Sequence, residues 1–585
     1  MAADFRSSYL ALRGRSIRID QHSVIGNHEA QEGLQFASWP EAVISALVIL
    51  WQFISTAFSR LLRILSAVLP LTNTTDELPK IATNCSSITI STPPHFSGQI
   101  LEVSQVSVSN YTTLTRYTGD IGETWFNDLE FCNITVTYTH PGQNDSVNVE
   151  IWLPPPESWN GDFQGQGGAG WFTGVPQLSH PQSVSQGFAV ASTDGGHFQG
   201  RTPQHWGMRS PGNIAMHLLQ DFASVALHDM TLLAKEVVET YYGTKAKHSY
   251  WHGCSTGGRQ GLMLAQKYPT DYDGILALAP AINWDRFLVA AFWPQLVMQQ
   301  YGVFPPGCEF EAIRQKAVEA CDGLDGVVDG VVAAPGLCQF DPTTLIGQKF
   351  LCDTVQLSFT EEAAKMAKLM WRGPQITAGR FMWYGLTPDA SFSSLGATFC
   401  SKQNVTYCLP SPFSMSTDWL QIYLAKDRNF DTSKITPTEY ETLFYDSIDQ
   451  YNSVIGTSNP DLSAFRAAGG KMITWHGLSD SLIFPNSSSH YYERVLEQDP
   501  HARDFYRYFE APGVGHCRPN VGIGAYPVNV MADIVKWVEQ DEAPEVLNAT
   551  GKSGKTRNIC LYPLVSKYIG GDSTLAESYV CAENF

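Results

Sequence analysis

HSYWHGCSTGGRQG, residues 248–261, is the stretch on which the reading of this chain turns. Its first six residues are β-rich and its last residues suit a helix. Between them Gly253-Cys254-Ser255-Thr256-Gly257 matches G-x-S-x-G, the nucleophile elbow. A serine on so tight a turn is held in a strained backbone conformation, and the flanking glycines let strand and helix approach closely. The hydroxyl projects from the turn, and the following N–H, that of Thr256, faces a developing oxyanion. The helix amino terminus adds partial positive charge there. The pattern alone arises often by chance; the strand before it and the helix after it give it weight.

Outward from the elbow, β-rich segments at 147–154, 187–193, 272–280, 471–477 and 505–512 predict further strands, most ending at Gly or Pro. Apolar spacing predicts helices over 215–242, 257–267 and 529–540. Strands alternating with helices imply an α/β fold with a doubly wound, mainly parallel sheet; together with the elbow it is read as an α/β-hydrolase core. The pattern changes over 285–465, which holds six cysteines, many aromatics and an acidic cluster. An insertion there falls at the carboxyl ends of the strands, where ligands bind in open sheets, and is read as a lid. A structural decoration without substrate contact is the alternative. The expected division is therefore an amino-terminal extension at 1–75, a catalytic domain at 76–284 and 466–585, and a lid domain at 285–465.

A serine at its ordinary pKa needs a base. In α/β-hydrolases the chain order is Ser, then Asp or Glu, then His. His516, in APGVGHCRPN, and Asp480, in ITWHGLSDSLIFP, each lie in a loop directly after a strand. An aspartate there accepts from the imidazole Nδ1–H and fixes its tautomer. His252 and His476, each at a strand end before a Gly, read as structural; His197 is assigned at most a part in shaping the cleft. The neighbours are more specific than the elbow itself. Cys254 precedes Ser255 and Cys517 follows His516, so a meeting of serine and histidine brings the two thiols together. A disulfide between them requires Cα atoms about 4.4–6.8 Å apart and clamps the site across roughly 260 residues of chain.

Bulk properties bound the rest. The 585 residues are long enough for several domains or one large core with an insert. A net charge of −19 disfavours nucleic acid as a partner. The twelve cysteines contain no C-x-x-C pair, which removes the main signal for a zinc ribbon or a thioredoxin-like site and favours disulfides in an oxidising compartment. Eight sequons, at Asn73, Asn84, Asn110, Asn133, Asn144, Asn404, Asn486 and Asn548, agree with a secreted, N-glycosylated protein. The apolar run 43–58 suits a signal h-region, although it lies deep in the chain; a signal anchor, a start site placed too far upstream and a buried helix are the alternatives.

Gly-Cys-Ser-Thr-Gly-Gly-Arg-Gln-Gly, the later Asp loop and His-Cys, in that order, resemble the tannase/feruloyl esterase family over about 500 residues, from near position 85 to the end. The resemblance implies a secreted serine esterase with Ser255, Asp480 and His516 as its triad. It also gives a role to CDGLDGVVDGVV, residues 321–332. Three carboxylates within eight residues do not have EF-hand spacing and by spacing alone read as a solvated acidic turn. The resemblance implies instead a structural Ca²⁺ held by Asp322, Asp325 and Asp329 and by the carbonyls of Val327 and Val331. It further suggests disulfides Cys321–Cys338, Cys400–Cys408, Cys560–Cys581 and Cys85–Cys132, leaving Cys308 for Cys352.

The glycine-rich stretch 162–174, DFQGQGGAGWFTG, is read as a loop in which Gly167 or Gly168 supplies the second oxyanion N–H; a loop that merely turns is the alternative. The expected reaction is ester hydrolysis through an acyl-enzyme, without a redox cofactor. The resemblance suggests phenolic acid esters, feruloyl or galloyl, free or linked to polysaccharide. Phe381, Trp383, Tyr384, Phe392, Phe399 and Trp419 either stack on a phenolic ring or form the core of the lid. Rival readings are an esterase for other small aromatic esters and a non-catalytic cell-surface binding protein on the same fold.

Overall fold

In the computed structural model the described residues are 84–585 apart from 119–121, 198–201, 376–378, 402–406 and 519–521. The apolar run 43–58 and the extension 1–75 lie outside them. Among the described residues no helix is long and apolar enough to cross a membrane.

Nine strands form the central sheet: β1 (Gln99–Thr118), β2 (Gly122–Thr139), β3 (Val147–Leu153), β4 (Phe163–Gln166), β5 (Ala189–Thr193), β6 (Ser249–Cys254), β7 (Gly274–Leu278), β8 (Lys471–Gly477) and β9 (Tyr506–Ala511). Their order is β1-β2-β3-β5-β4-β6-β7-β8-β9. The first three strands and β5 pair antiparallel, and every pairing from β5 through β4 to β9 is parallel. The parallel strands are buried on both faces, as a sheet covered by helices requires. All six predicted strands are present. The polar hairpin β1–β2 and the short strand β4 are additional, and β4 takes the first residues of the stretch read as a glycine loop.

The helical run 215–242 is two helices, Met216–Ala223 and Val225–Tyr242, broken at Ser224 (φ −162°, ψ −38°). Arg259, from the elbow helix Thr256–Lys267, explains the break. Its fully buried guanidinium donates to the carbonyls of Phe222 (3.1 Å) and Ala223 (3.0 Å), satisfying groups that a continuous helix would have used.

Between β7 and β8 the chain makes a mainly helical excursion, including Gly307–Cys321, Glu361–Arg372 and Pro437–Tyr451. It shares one hydrophobic cluster with the core. Trp171, Trp206, Phe222 and Trp284 of the core pack with Trp419 and Tyr423 of the excursion. Removing such a side chain costs about 3–5 kcal/mol, so core and excursion stand or fall together. From Ile81 to Phe585 the chain is one compact unit. Six disulfides staple it: Cys85–Cys132, Cys254–Cys517, Cys308–Cys352, Cys321–Cys338, Cys400–Cys408 and Cys560–Cys581. No free cysteine remains among the described residues.

Candidate active site

Ser255 stands between β6 and the elbow helix with φ 64° and ψ −121°, a conformation that costs an L-residue free energy and persists because its surroundings fix it. Its N–H donates to the carbonyl of Leu278, at the end of β7, at 3.0 Å. A Cβ on Gly253 would lie 2.5 Å from the carbonyl carbon of Gly257, so the turn closes only because position 253 has no side chain. Thr256 opens the helix, where its N–H has no intrahelical acceptor.

Asp480 follows β8 and is fully buried. Its Oδ1 accepts from the N–H groups of Leu482 (2.8 Å) and Ile483 (3.0 Å). Its Oδ2 lies 2.6 Å from His516 Nδ1 and 3.1 Å from His476 Nε2. Burial alone would raise this carboxyl, but its interactions with the imidazoles of His516 and His476 outweigh burial and hold it well below the usual carboxylate range. Cys254 and Cys517 are bonded, with Cα atoms 6.0 Å apart, so the elbow and the His516 loop are joined covalently. His516 Nε2 lies 3.5 Å from Cys517 Sγ. Among the described residues no hydrogen bond joins Ser255 Oγ to His516. The structure thus brings Asp480, His516 and the disulfide together and places Ser255 across that disulfide.

Two expectations for the glycine stretch need correction. Gly167 N–H donates to the carbonyl of His252 (3.0 Å), and Gly168 N–H donates to Gln260 Oε1 (3.0 Å). Neither donor is free for an oxyanion. These glycines serve close approach instead: a Cβ on Gly167 would meet Gly257 Cα at 2.5 Å. The next N–H, that of Ala169, makes no hydrogen bond among the described residues.

A family profile described as "Tannase and feruloyl esterase" matches residues 132–582. The chain belongs to the tannase and feruloyl esterase family. A probable feruloyl esterase of Arthroderma benhamiae is 42% identical over 469 residues, 78% of this chain and 86% of the relative. A probable feruloyl esterase B-1 of Neosartorya fischeri is 30% identical over 79% of this chain and 88% of its own length. Among solved structures, tannin acyl hydrolase from Aspergillus niger is similar with a TM-score of 0.77 at 27% identity, covering 84% of this chain and 93% of that one. As a member of the tannase and feruloyl esterase family, the chain is a serine carboxylic ester hydrolase.

Residues that sequence reasoning set aside enter the site. His476, read as a strand-end group, is fully buried and bonded to Asp480; its spacing of four from Asp480 across a turn was the available signal. The excursion also reaches the Asp480 loop: Thr387 Oγ1 donates to the carbonyl of Leu478 (2.8 Å), Ser479 Oγ donates to Asp389, and Ser394 Oγ meets Ser481 Oγ (3.0 Å). His252 and His197 are held neutral, each lowered to about 4 by burial. His197 stacks on Trp206 at 4.2 Å and bonds Thr173 Oγ1 at 3.1 Å, so it is structural. Of the aromatics in the excursion, Trp383, Phe392 and Trp419 are buried core, whereas Phe381 and Phe399 are exposed.

In the acidic loop, Asp322 accepts from the N–H groups of Asp329 (3.1 Å) and Gly330 (3.0 Å), and Asp325 Oδ1 accepts from Val327 N–H (3.1 Å). Asp329 Oδ1 accepts from Val331 N–H (3.1 Å), and its Oδ2 receives Lys555 Nζ (2.9 Å) and Arg557 (2.8 Å). Burial, with the charges of Asp329 and Asp322, pushes the Asp325 carboxyl up. Elsewhere two groups draw their His, Asp and Glu ligand atoms within 4.8 Å of one another: His140 with Asp145 and Asp221, and Asp162 with His248 and Glu539. In the first, Nδ1 to Asp145 is 2.6 Å and Nε2 to Asp229 is 2.9 Å, separations that suit protons between the atoms.

Proposed function

We propose that the protein hydrolyses esters of phenolic acids through an acyl-enzyme on Ser255, with His516 as general base and Asp480 as its partner. The observation that carries this reading is the 2.6 Å contact of His516 with a fully buried Asp480, clamped to the serine turn by Cys254–Cys517. Because a carboxylate only accepts, His516 carries its proton on Nδ1 and presents Nε2 as the base. Ser255 Oγ attacks the ester carbonyl while Nε2 takes its proton. The Thr256 N–H, at the helix start, stabilises the oxyanion. His516 returns the proton to the leaving alcohol, and water repeats the sequence on the acyl-enzyme. The bond between Ser255 and His516 forms with substrate in place, as catalytic hydrogen bonds commonly tighten on binding.

The phenolic part of the proposal rests on the family, whose named members include feruloyl esterases and a tannin acyl hydrolase. The excursion 285–465 acts as the lid, and 76–284 with 466–585 as the catalytic domain. The loop 322–331 takes a structural Ca²⁺. Its donors are all hard oxygens, the class that Ca²⁺ prefers, and Asp322, Asp325 and Asp329 bring three carboxylates to one glycine-containing loop. Asp322, Asp325 and Asp329 with the carbonyls of Val327 and Val331 would hold the ion, which would stabilise the loop and take no part in the reaction. Secretion and N-glycosylation are supported by the six disulfides and by exposed sequon asparagines at Asn84, Asn110, Asn144, Asn486 and Asn548. A panel of methyl ferulate, methyl caffeate, methyl gallate and a short acyl p-nitrophenyl ester tests the reading. Hydrolysis of one or more phenolic esters supports it, and turnover of the p-nitrophenyl ester alone contradicts the substrate class. Activity on gallate alone marks the tannase type.

A further inference from the structure

We propose that His476 is a positioning residue for Asp480, a second imidazole that fixes the carboxylate on which His516 depends; this rests on the triad proposed above. His476 lies near the end of β8 with its side chain fully buried. Its Nε2 is 3.1 Å from Asp480 Oδ2, and its Nδ1 is 2.8 Å from Ser488 Oγ, on the helix Pro485–Gln498 that follows the Asp480 loop. Asp480 therefore receives four donors, two per oxygen: the Leu482 and Ile483 N–H groups on Oδ1, and the His516 and His476 ring N–H groups on Oδ2.

The tautomer of His476 follows from its partners. The nitrogen facing a carboxylate must carry the proton, so Nε2 is the donor. In the neutral ring Nδ1 is then the acceptor, and Ser488 supplies the O–H. Ser488 thus holds His476 in the one tautomer that donates to Asp480. The two backbone donors anchor one oxygen of the carboxylate and leave it free to tilt about that anchor. A second donor on Oδ2 removes the tilt and keeps that oxygen in line with His516 Nδ1, which sets the direction in which His516 Nε2 points. A structural histidine buried for packing alone would need neither the Asp480 contact nor the serine that selects its tautomer.

The test compares His476→Leu, His476→Gln and Ser488→Ala in the full chain, with Ser255→Ala as reference. The measurements are kcat and KM on a p-nitrophenyl ester, thermal unfolding, and the low-field proton resonance of the His516–Asp480 bond. His476→Leu is expected to lower kcat by about 10- to 100-fold, the order of loss that a misplacement of up to about 1 Å in a catalytic group brings, with KM within about twofold. His476→Gln places an amide N–H where Nε2 stood, and is expected to recover most of kcat and restore the resonance. An unchanged kcat in a folded His476→Leu protein overturns the inference, as does a His476→Gln protein no better than His476→Leu. If His476→Leu does not fold, Ser488→Ala decides: kcat several-fold down with melting nearly unchanged supports the inference, and full activity overturns it. A Ser255→Ala protein that still turns over sinks the triad reading itself. A dead Ser255→Ala protein beside a fully active His476→Leu protein sinks only this inference.

Discussion

Cys254 and Cys517 are bonded across 263 positions of chain, and each is the immediate neighbour of a residue of the proposed reaction, Ser255 on one side and His516 on the other. The bond fixes the separation of two turns that no continuous element connects. Both turns are strained: Ser255 has φ 64° and Cys517 has φ 53°. Strain of this kind lasts only where the surroundings over-determine the backbone.

Replacing Cys254 and Cys517 together by serine is therefore expected to lower both stability and turnover. Removing a native disulfide typically costs about 2–5 kcal/mol. Relaxation of either turn moves nucleophile and base out of register, for which a loss in kcat of about 10²-fold is reasonable. Thermal unfolding together with kcat on a p-nitrophenyl ester checks this, and unchanged kinetics argues against a clamp.

The network around His140 is expected to make stability fall at alkaline pH. Bonding to Asp229 raises its imidazolium most, against burial and with help from Asp145, to about 9 from an ordinary 6.5. Asp221 and Asp229 face it from the helices Met216–Ala223 and Val225–Tyr242, and Asp145 from the β2–β3 turn. A group raised on folding stabilises fully below its unfolded pKa and loses that contribution as pH climbs through its folded value. Asp221, raised to about 7 chiefly by burial, loses its own contribution over an earlier part of the same climb. The melting-temperature gap between the parent and His140→Gln is expected to be widest at about pH 6, to narrow as pH rises through about 9, and to narrow again in acid, where protonation of Asp145, held down in part by His140, removes the partner. A gap independent of pH rules this out.

Chelation is expected to lower the melting temperature while leaving kcat at 25 °C nearly unchanged. Ligand at 100 times its Kd contributes about 2.7 kcal/mol, enough for a shift of a few degrees in a protein of this size. Added Ca²⁺ should restore the loss, and Asp325→Asn should abolish the response. Identical melting curves with and without chelator remove the ion from the account.

The parts legible in the sequence were those with a local signature. The strands at 248–253 and 471–477 carry runs of β-formers, and the elbow is written in five consecutive residues. Asp480 and His516 could be placed because each follows a strand. Long-range relationships were not legible. A periodic helix over 215–242 looks unbroken until Arg259, from another element, takes the carbonyls of Phe222 and Ala223. Glycines at 167 and 168 announce close approach but not where their N–H groups go; Gly168 donates to Gln260, 92 positions away. Hairpin β1–β2 stayed hidden because its first strand exposes residues on both faces, which blurs the alternation that marks a half-buried strand.

The central claim concerns which atom carries the acyl group, and covalent labelling reads it directly. Incubation with an aryl phosphonate, followed by peptide mass spectrometry, is predicted to place one adduct on the peptide bearing Cys254-Ser255-Thr256, to abolish ester hydrolysis in step, and to leave Ser255→Ala unlabelled. Labelling at another residue, or undiminished hydrolysis by Ser255→Ala, would contradict the account.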